Sequence, residues 1–310
     1  MRAERRAFRD LIMIYNTIHK LFQQFHLDYR YILFDELIDY FSIFGGLEPK
    51  SVELYNPIDD IVASIAKNAA IREEFPFFIF DKPFRELLLS LAKSDGKMYS
   101  LFNRLKISHS LGEEIVSELI ANGILYRVES KELPQQTFKK QLIKKELRHY
   151  RIEPKLYFSK PFYRFWFAFI EPYYQCGSEI DVRTLLKNFH LYRYRLSSSV
   201  FEELSVALLK LHFAPTDRII ECGSLWNYYS EFDIYCKTES KKEIIGECKY
   251  KNRPVVKSEL VKLQSKVEQS ALNIGHYTLF SKSGFSKEFE KIDDSNLTLF
   301  ELNDFKRLLT

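Results

Sequence analysis

Glu231-Phe-Asp233-Ile-Tyr-Cys-Lys237, Thr238-Glu-Ser-Lys-Lys242 and Glu243-Ile-Ile-Gly-Glu247-Cys-Lys249-Tyr250 follow one another without a break in the last third of the chain. Two short runs rich in apolar and β-branched residues flank a polar loop of about five residues, the pattern of a β-hairpin. Side chains alternate across a strand. Phe232, Ile234 and Cys236 are therefore expected on one face of the first run, with Asp233 pointing the other way. In the second run Ile244, Gly246 and Cys248 share a face, and Glu247 and Lys249 lie opposite it. A loop centred on Ser240 puts Asp233 across from Glu247, at a cross-strand separation of about 5 Å.

Two carboxylates at that separation repel each other and invite a hard divalent cation such as Mg²⁺, which prefers oxygen ligands. A lysine two residues beyond the second carboxylate is placed to orient or polarise water. The plain alternative is a surface hairpin whose charges face solvent and form an ordinary salt bridge, since a short pattern of this kind recurs by chance.

The wording around the hairpin narrows the choice. Phe201-Glu202 opens a helical stretch, Trp226 precedes Glu231-Phe-Asp233-Ile, and Glu247-Cys-Lys249-Tyr follows. This resembles the PD-(D/E)XK nuclease superfamily, whose signature is an acidic residue on one strand and Glu-x-Lys on the next. It resembles most the nuclease-like C-terminal domain of unknown function that follows archaeal-type AAA ATPase modules. That family has Phe-Glu, a Trp, Glu-Ile-Asp-Ile and Glu-Cys-Lys-Trp in this order; Phe232 and Tyr250 replace its Ile and Trp here. The resemblance implies that Asp233 and Glu247 bind Mg²⁺, or Mn²⁺ in its place. It implies that the main-chain carbonyl of Cys248 adds a ligand and that Lys249 acts on water and phosphate. Glu202, with Glu203 beside it, is the third acidic candidate. A polar residue from the helix after the hairpin often joins such sites, which makes Gln264 a further candidate.

The 310 residues allow two or three domains. Hydrophobic residues make up 46% and charged residues 28%, as in an ordinary globular chain. A net charge of +4 means that any nucleic-acid surface must come from local clustering. Cys176, Cys222, Cys236 and Cys248 lack Cys-x-x-Cys spacing, so they are expected as free thiols in a reducing compartment, with Cys236 and Cys248 close across the hairpin. Zinc is not expected. No apolar leader and no membrane-spanning run is present, so the expected location is cytoplasmic.

No Gly-x-x-x-x-Gly-Lys-Ser/Thr occurs, and Gly96-Lys97 is flanked by the wrong residues, so no nucleotide hydrolysis is expected. Helical periodicity covers residues 7–25, 29–44 and 58–74. Helices over 83–93, 98–105 and 111–121, then a strand over 124–128, are similar to a winged helix-turn-helix. Its third helix carries Glu113, Glu114 and Glu118, which repel phosphate, so protein docking suits it better than reading DNA.

Residues 135–151 are basic (Lys139, Lys140, Lys144, Lys145, Arg148, Arg151), with Lys131, Lys155 and Lys160 flanking them. They form either a phosphate-contacting strip or a solvated face. Phe162, Phe165, Trp166 and Phe169 have the spacing of one helix face, between Pro161 and Pro172. A packed core helix is the expected role, with a base-stacking platform as the alternative. The same segment resembles the Asp-Pro-Phe-x-x-Phe-Trp-x-x-Phe stretch of the family, with Lys160 at the Asp position. Ser197-Ser-Ser199 is expected to cap a helix starting near Val200.

The expected architecture is an α/β C-terminal domain of restriction-endonuclease type, a mixed sheet flanked by helices, behind a mostly helical region with a winged helix. Its expected divisions are 1–80, helical; 81–130, winged helix-turn-helix; 131–196, basic and aromatic connector; and 197–310, nuclease-like. The expected function is Mg²⁺-dependent hydrolysis of DNA phosphodiesters. The alternative is a non-catalytic DNA-binding or regulatory protein that uses both modules for docking. The resemblance adds a homodimer as a candidate assembly, with the helix around Trp166 as its contact.

Overall fold

The computed structural model describes residues 18–47, 54–68, 81–132, 142, 145–148, 150–175 and 181–310. Lys139, Lys140, Lys144 and Cys176 lie outside the described residues. Contacts divide the chain into two units, one drawn from residues 20–128 and 154–200, the other chiefly from 129–153 and 201–310.

The first unit is mostly helical. Residues 18–28 are helical, followed by α1 (Phe34–Phe44) and α2 (Ile58–Lys67). In α1, Leu37, Ile38, Phe41 and Phe44 are buried, the stripe expected of a core-facing helix. Then come α3 (Lys82–Ala92), α4 (Met98–Leu105), α5 (His109–Ala121) and strand β1 (Leu125–Val128). Pro83 fits the first turn of α3, where no N–H is needed. Ser108 caps α5 by accepting the N–H of Leu111. Gly112 faces the Phe102 ring, where a Cβ would come within 2.6 Å, so only glycine lets α5 approach α4 this closely. β1 pairs antiparallel with β2 (Lys155–Phe158), and Lys97, between α3 and α4, bridges to Lys155. Lys155 is 2% exposed, so it is not a flank of any phosphate-contacting strip.

The aromatic helix α6 is built from α-helical Pro161–Phe165, a π-helical turn Trp166–Ile170 and α-helical Glu171–Gln175. Phe162, Phe165, Trp166 and Phe169 are buried, and so are Tyr163, Phe167 and Ile170, which lie off the expected face. Trp166 is fully buried, with its Nε1 donating to Glu171 Oε2 at 2.9 Å. Its ring is therefore part of the core and offers no open base-stacking platform. Helix α7 (Val182–Tyr192) completes this unit together with the start of α8 (Tyr194–Phe213). The serines at 197–199 lie inside α8 and do not cap it. The buried positions Leu196, Val200 and Leu204 carry the helical repeat through them, and Ser197 Oγ donates to Asp39 Oδ1 at 2.6 Å.

The second unit holds a five-stranded mixed sheet in the order β3 (Ile219–Trp226), β4 (Glu231–Thr238), β5 (Glu243–Lys249), β6 (His276–Ser281) and β7 (Leu297–Glu301). β3, β4 and β5 are antiparallel neighbours, whereas β5, β6 and β7 run parallel. Parallel neighbours need crossovers. Helix α9 (Lys257–Gln269) lies in the first, and a 3-10 turn (Lys287–Lys291) in the second. Leu260, Leu263 and Val267 of α9 cover one face, packing on Phe232, Tyr235, Ile245 and Leu279. Full burial of a leucine such as Leu263 contributes about 1.5–3 kcal/mol. Other aromatics stack elsewhere in the unit: Phe280 with Phe300, and Phe201 of α8 with Phe305, both at 4.7 Å between ring centres.

Two details of the strands differ from simple alternation. A register shift between Gly223 and Leu225 lets Phe232 join the Tyr235 cluster instead of the face of Ile234 and Cys236. The same β3–β4 register sets Cys222 directly opposite Cys236, and the two are joined as a disulfide, so neither is a free thiol. Cys236 pairs with Ile244 on β5, away from Cys248, which among the described residues is free and buried. Among the described residues no helix is long and apolar enough to cross a membrane.

Candidate functional site

The β4–β5 register decides the geometry. Ile234 pairs with Gly246, Tyr235 with Ile245 and Lys237 with Glu243, so one further step sets Asp233 level with Glu247. Gly246 makes this strand approach possible: a Cβ there would stand 2.7 Å from Thr278 Cγ2 and 3.2 Å from Ile234 Cβ. Asp233 Oδ2 accepts the backbone N–H of Cys248 at 2.8 Å. Lys249 Nζ donates to Glu247 Oε1. Helix α9 closes the patch from above. Lys266 Nζ donates to Glu247 Oε2 at 3.2 Å and to the Glu231 carbonyl at 3.3 Å. Glu259 lies 3.8 Å from Lys249 Nζ and 2.8 Å from Lys262 Nζ.

Electrostatics follow from this crowding. Burial and the neighbouring Glu247 charge push the Asp233 carboxyl up to about 7, against the pull of the Cys248 N–H, Lys249 and Lys266. Burial works against the charge of Lys249. The Glu247 carboxylate and its hydrogen bond, with Asp233 and Glu259, outweigh that and raise its pKa. Lys249 is thus a cation that donates hydrogen bonds, not a base. Burial, then Asp233 and Glu202, push the Cys248 thiol well above its ordinary value, so it remains protonated. The hydrogen bond from Lys262, helped by Lys249, holds Glu259 below the usual carboxylate range.

Of the expected residues, the structure brings together Asp233, Glu247 and Lys249. Glu202 sits within α8, near enough for its charge to act on the Cys248 thiol. Among the described residues no group of three or more His, Cys, Asp or Glu side chains is arranged to hold a metal ion. No hydrogen bond among the described residues ties Gln264 to the patch; Glu259 and Lys266 reach it instead. Their seven-residue spacing puts them on one helix face. That spacing is legible in the sequence, but their partners on β5 are not.

The donor set fits Mg²⁺. It offers carboxylate oxygens from two neighbouring strands, and Mg²⁺ commonly takes one or two carboxylates and keeps several waters.

Residues 166–270 match the DUF234 family, described as archaeal and bacterial proteins of unknown function. The match takes in the end of the aromatic helix, α8, the hairpin and α9, and it fits the family resemblance carried by Phe201-Glu202, Trp226 and Glu247-Cys-Lys249. No curated protein matches the sequence. Among solved structures, the crystal structure of protein VC1899 from Vibrio cholerae is 15% identical. It aligns over 74% of this chain and 56% of its own, at a TM-score of 0.29. A half-complex of Thermococcus gammatolerans McrB AAA+ hexamers with bound McrC is 11% identical, over 74% and 52%, at 0.24. The chain spans little more than half the length of either, and likenesses at these scores carry no argument about the fold.

Proposed function

We propose that the sheet unit is a restriction-endonuclease-like, PD-(D/E)XK-type domain that hydrolyses DNA phosphodiester bonds with a divalent cation, Mg²⁺ or Mn²⁺. The observation that carries this reading is the β4–β5 register, which sets Asp233 level with Glu247 and ties Lys249 to Glu247. Asp233 and Glu247, with the Cys248 carbonyl, are the groups that would hold the ion. The ion supplies Lewis-acid polarisation and a template for substrate and water. Lys249, kept protonated by its carboxylate neighbours, donates hydrogen bonds to the attacking water and to the phosphate oxygens as their charge grows. Glu259 positions Lys249 from α9. Lys266 balances the charge of Glu247.

In the helical unit, the order α3, α4, α5, β1, β2 with the Lys97–Lys155 bridge supports reading a winged helix-turn-helix. On α5, Glu113 pairs with Arg127 at 3.1 Å, and Glu114 and Glu118 are exposed. An acidic face of this kind suits a protein surface better than a phosphate backbone.

A second reading has its own observation. Both oxygens of Glu247 are engaged by lysines, so the patch is charge-balanced as it stands. On that reading the sheet unit docks nucleic acid without cutting it. Incubation of supercoiled plasmid with the purified chain and Mg²⁺ or Mn²⁺, beside Asp233→Ala and Lys249→Ala, separates the two. Metal-dependent nicking lost in both variants supports hydrolysis. Binding without nicking supports docking, and nicking that survives in both variants rejects the assigned site.

A further inference from the structure

The turn between β3 and β4 carries two adjacent exposed tyrosines, Tyr228 at 48% and Tyr229 at 45% exposure. Large aromatic surface left open at a turn asks for a reason, and this turn is built rather than loose. The Asn227 side-chain oxygen accepts from the N–H groups of Tyr229 at 2.9 Å and Ser230 at 2.7 Å, and the Asn227 backbone N–H donates to the Ser230 carbonyl. Asn227 Nδ2 donates to Ser270 Oγ at 3.1 Å, just past the end of α9. The two rings meet edge to face at 5.2 Å between centres.

The segment 129–153 is pinned to the same place from both of its ends. Ser130 Oγ donates to the Trp226 carbonyl at 2.6 Å, and Trp226 Nε1 donates to the Glu153 carbonyl at 3.0 Å. Within this segment Tyr150, held by its hydroxyl on Glu132 Oε2 at 2.8 Å, packs edge-on against Tyr228 at 5.5 Å. Its sequence neighbours Arg148 and Arg151 are exposed. Three tyrosine rings therefore lie together at the start of β4, with Arg148 and Arg151 close in sequence to one of them. Asp233 lies four residues beyond Tyr229, about 13 Å along an extended strand.

We propose that Tyr228, Tyr229 and Tyr150, with Arg148 and Arg151, form a binding surface for single-stranded nucleic acid that feeds the Asp233–Glu247 patch. Rings that present flat faces beside cations accept unpaired bases of any sequence, while the cations track the phosphates. Paired bases hide those faces within the duplex, so the surface selects unpaired strands. The inference deepens the hydrolytic reading by naming its substrate class. Its binding step needs no metal.

The test uses the full chain in EDTA. Fluorescence anisotropy measures binding of a labelled single-stranded oligonucleotide and of the same sequence as a duplex. The wild type prefers the single strand. Tyr228→Ala with Tyr229→Ala weakens single-strand binding by about tenfold and leaves duplex binding unchanged. Tyr228→Phe with Tyr229→Phe keeps the rings and the affinity. Arg148→Ala with Arg151→Ala lowers the steepness of the salt dependence. Equal single-strand affinity in the wild type and the double alanine variant overturns the proposal, as does failure to bind either oligonucleotide at low salt. Single-strand binding that depends on the tyrosines, in a wild type that never nicks plasmid, sustains the surface and removes the hydrolytic reading.

Discussion

The parallel strands β5 and β6 carry buried polar groups at both ends, and the two ends handle charge differently. At one end His276, level with Ile244, is 4% exposed. Its Nε2 meets Thr298 Oγ1 at 2.8 Å, and its Nδ1 has no hydrogen-bond partner among the described residues. Burial, with Lys242 and His212 nearby, pushes the ring down to about 4. It sits as a neutral ring. At the other end, on β4 and β5, Lys249 and Lys266 both donate to Glu247, while burial and the Glu247 charge push Asp233 up to about 7. A lone buried group escapes the burial penalty by giving up its charge. A carboxyl pushed up by burial and a second carboxylate, with two cations beside them, is what marks a place for chemistry.

The largest effect comes from breaking the strand approach on which the charged end depends. Gly246→Val drives a branched side chain into Thr278 and Ile234 and costs about 3 kcal/mol, read as a lower denaturant midpoint. Next is the charge of Asp233. Its folded pKa of about 7 lies above the ordinary 3.8, so its contribution to stability is present below pH 4 and is lost as pH rises through 7. Asp233→Asn removes that loss and gains on the order of 2 kcal/mol at pH 8 in EDTA, with little change at pH 4. His276 has the opposite sign. Its folded value near 4 lies below 6.5, so its contribution is present above pH 6.5 and is lost as pH falls toward 4. His276→Gln flattens the acid limb by about 1–2 kcal/mol at pH 5, measured by thermal melting across pH. Smallest is Tyr228→Ala, which changes stability by less than about 0.5 kcal/mol because the ring is exposed; a larger loss would mean that the turn is part of the core.

The charged end was largely legible in the sequence. A loop centred on Ser240 and the two-residue repeat fixed the Asp233–Glu247 register without any coordinates. What escaped depends on long-range packing. The shift near Gly223 leaves no mark beyond the glycine, yet it moves Phe232 across the sheet and pairs Cys222 with Cys236. Glu259 and Lys266 are ordinary helix charges until α9 is laid over β5. The serines at 197–199 look like a cap because of their chemistry, but the apolar repeat from Leu196 to Leu204 overrides it. The aromatic run at 162–169 is core as its spacing implied, and the exposed pair Tyr228 and Tyr229 lies in a turn that has no periodicity to read.

Titration of the wild type with Mn²⁺, followed by electron paramagnetic resonance between pH 5 and 8, tests the central claim most directly. Binding to a carboxyl with a value near 7 must displace its proton. The account predicts binding that strengthens by about tenfold per pH unit up to pH 7 and then levels, and that is lost in both Asp233→Asn and Glu247→Gln. Absence of binding in the wild type, or binding that persists in both variants with no dependence on pH, would contradict it.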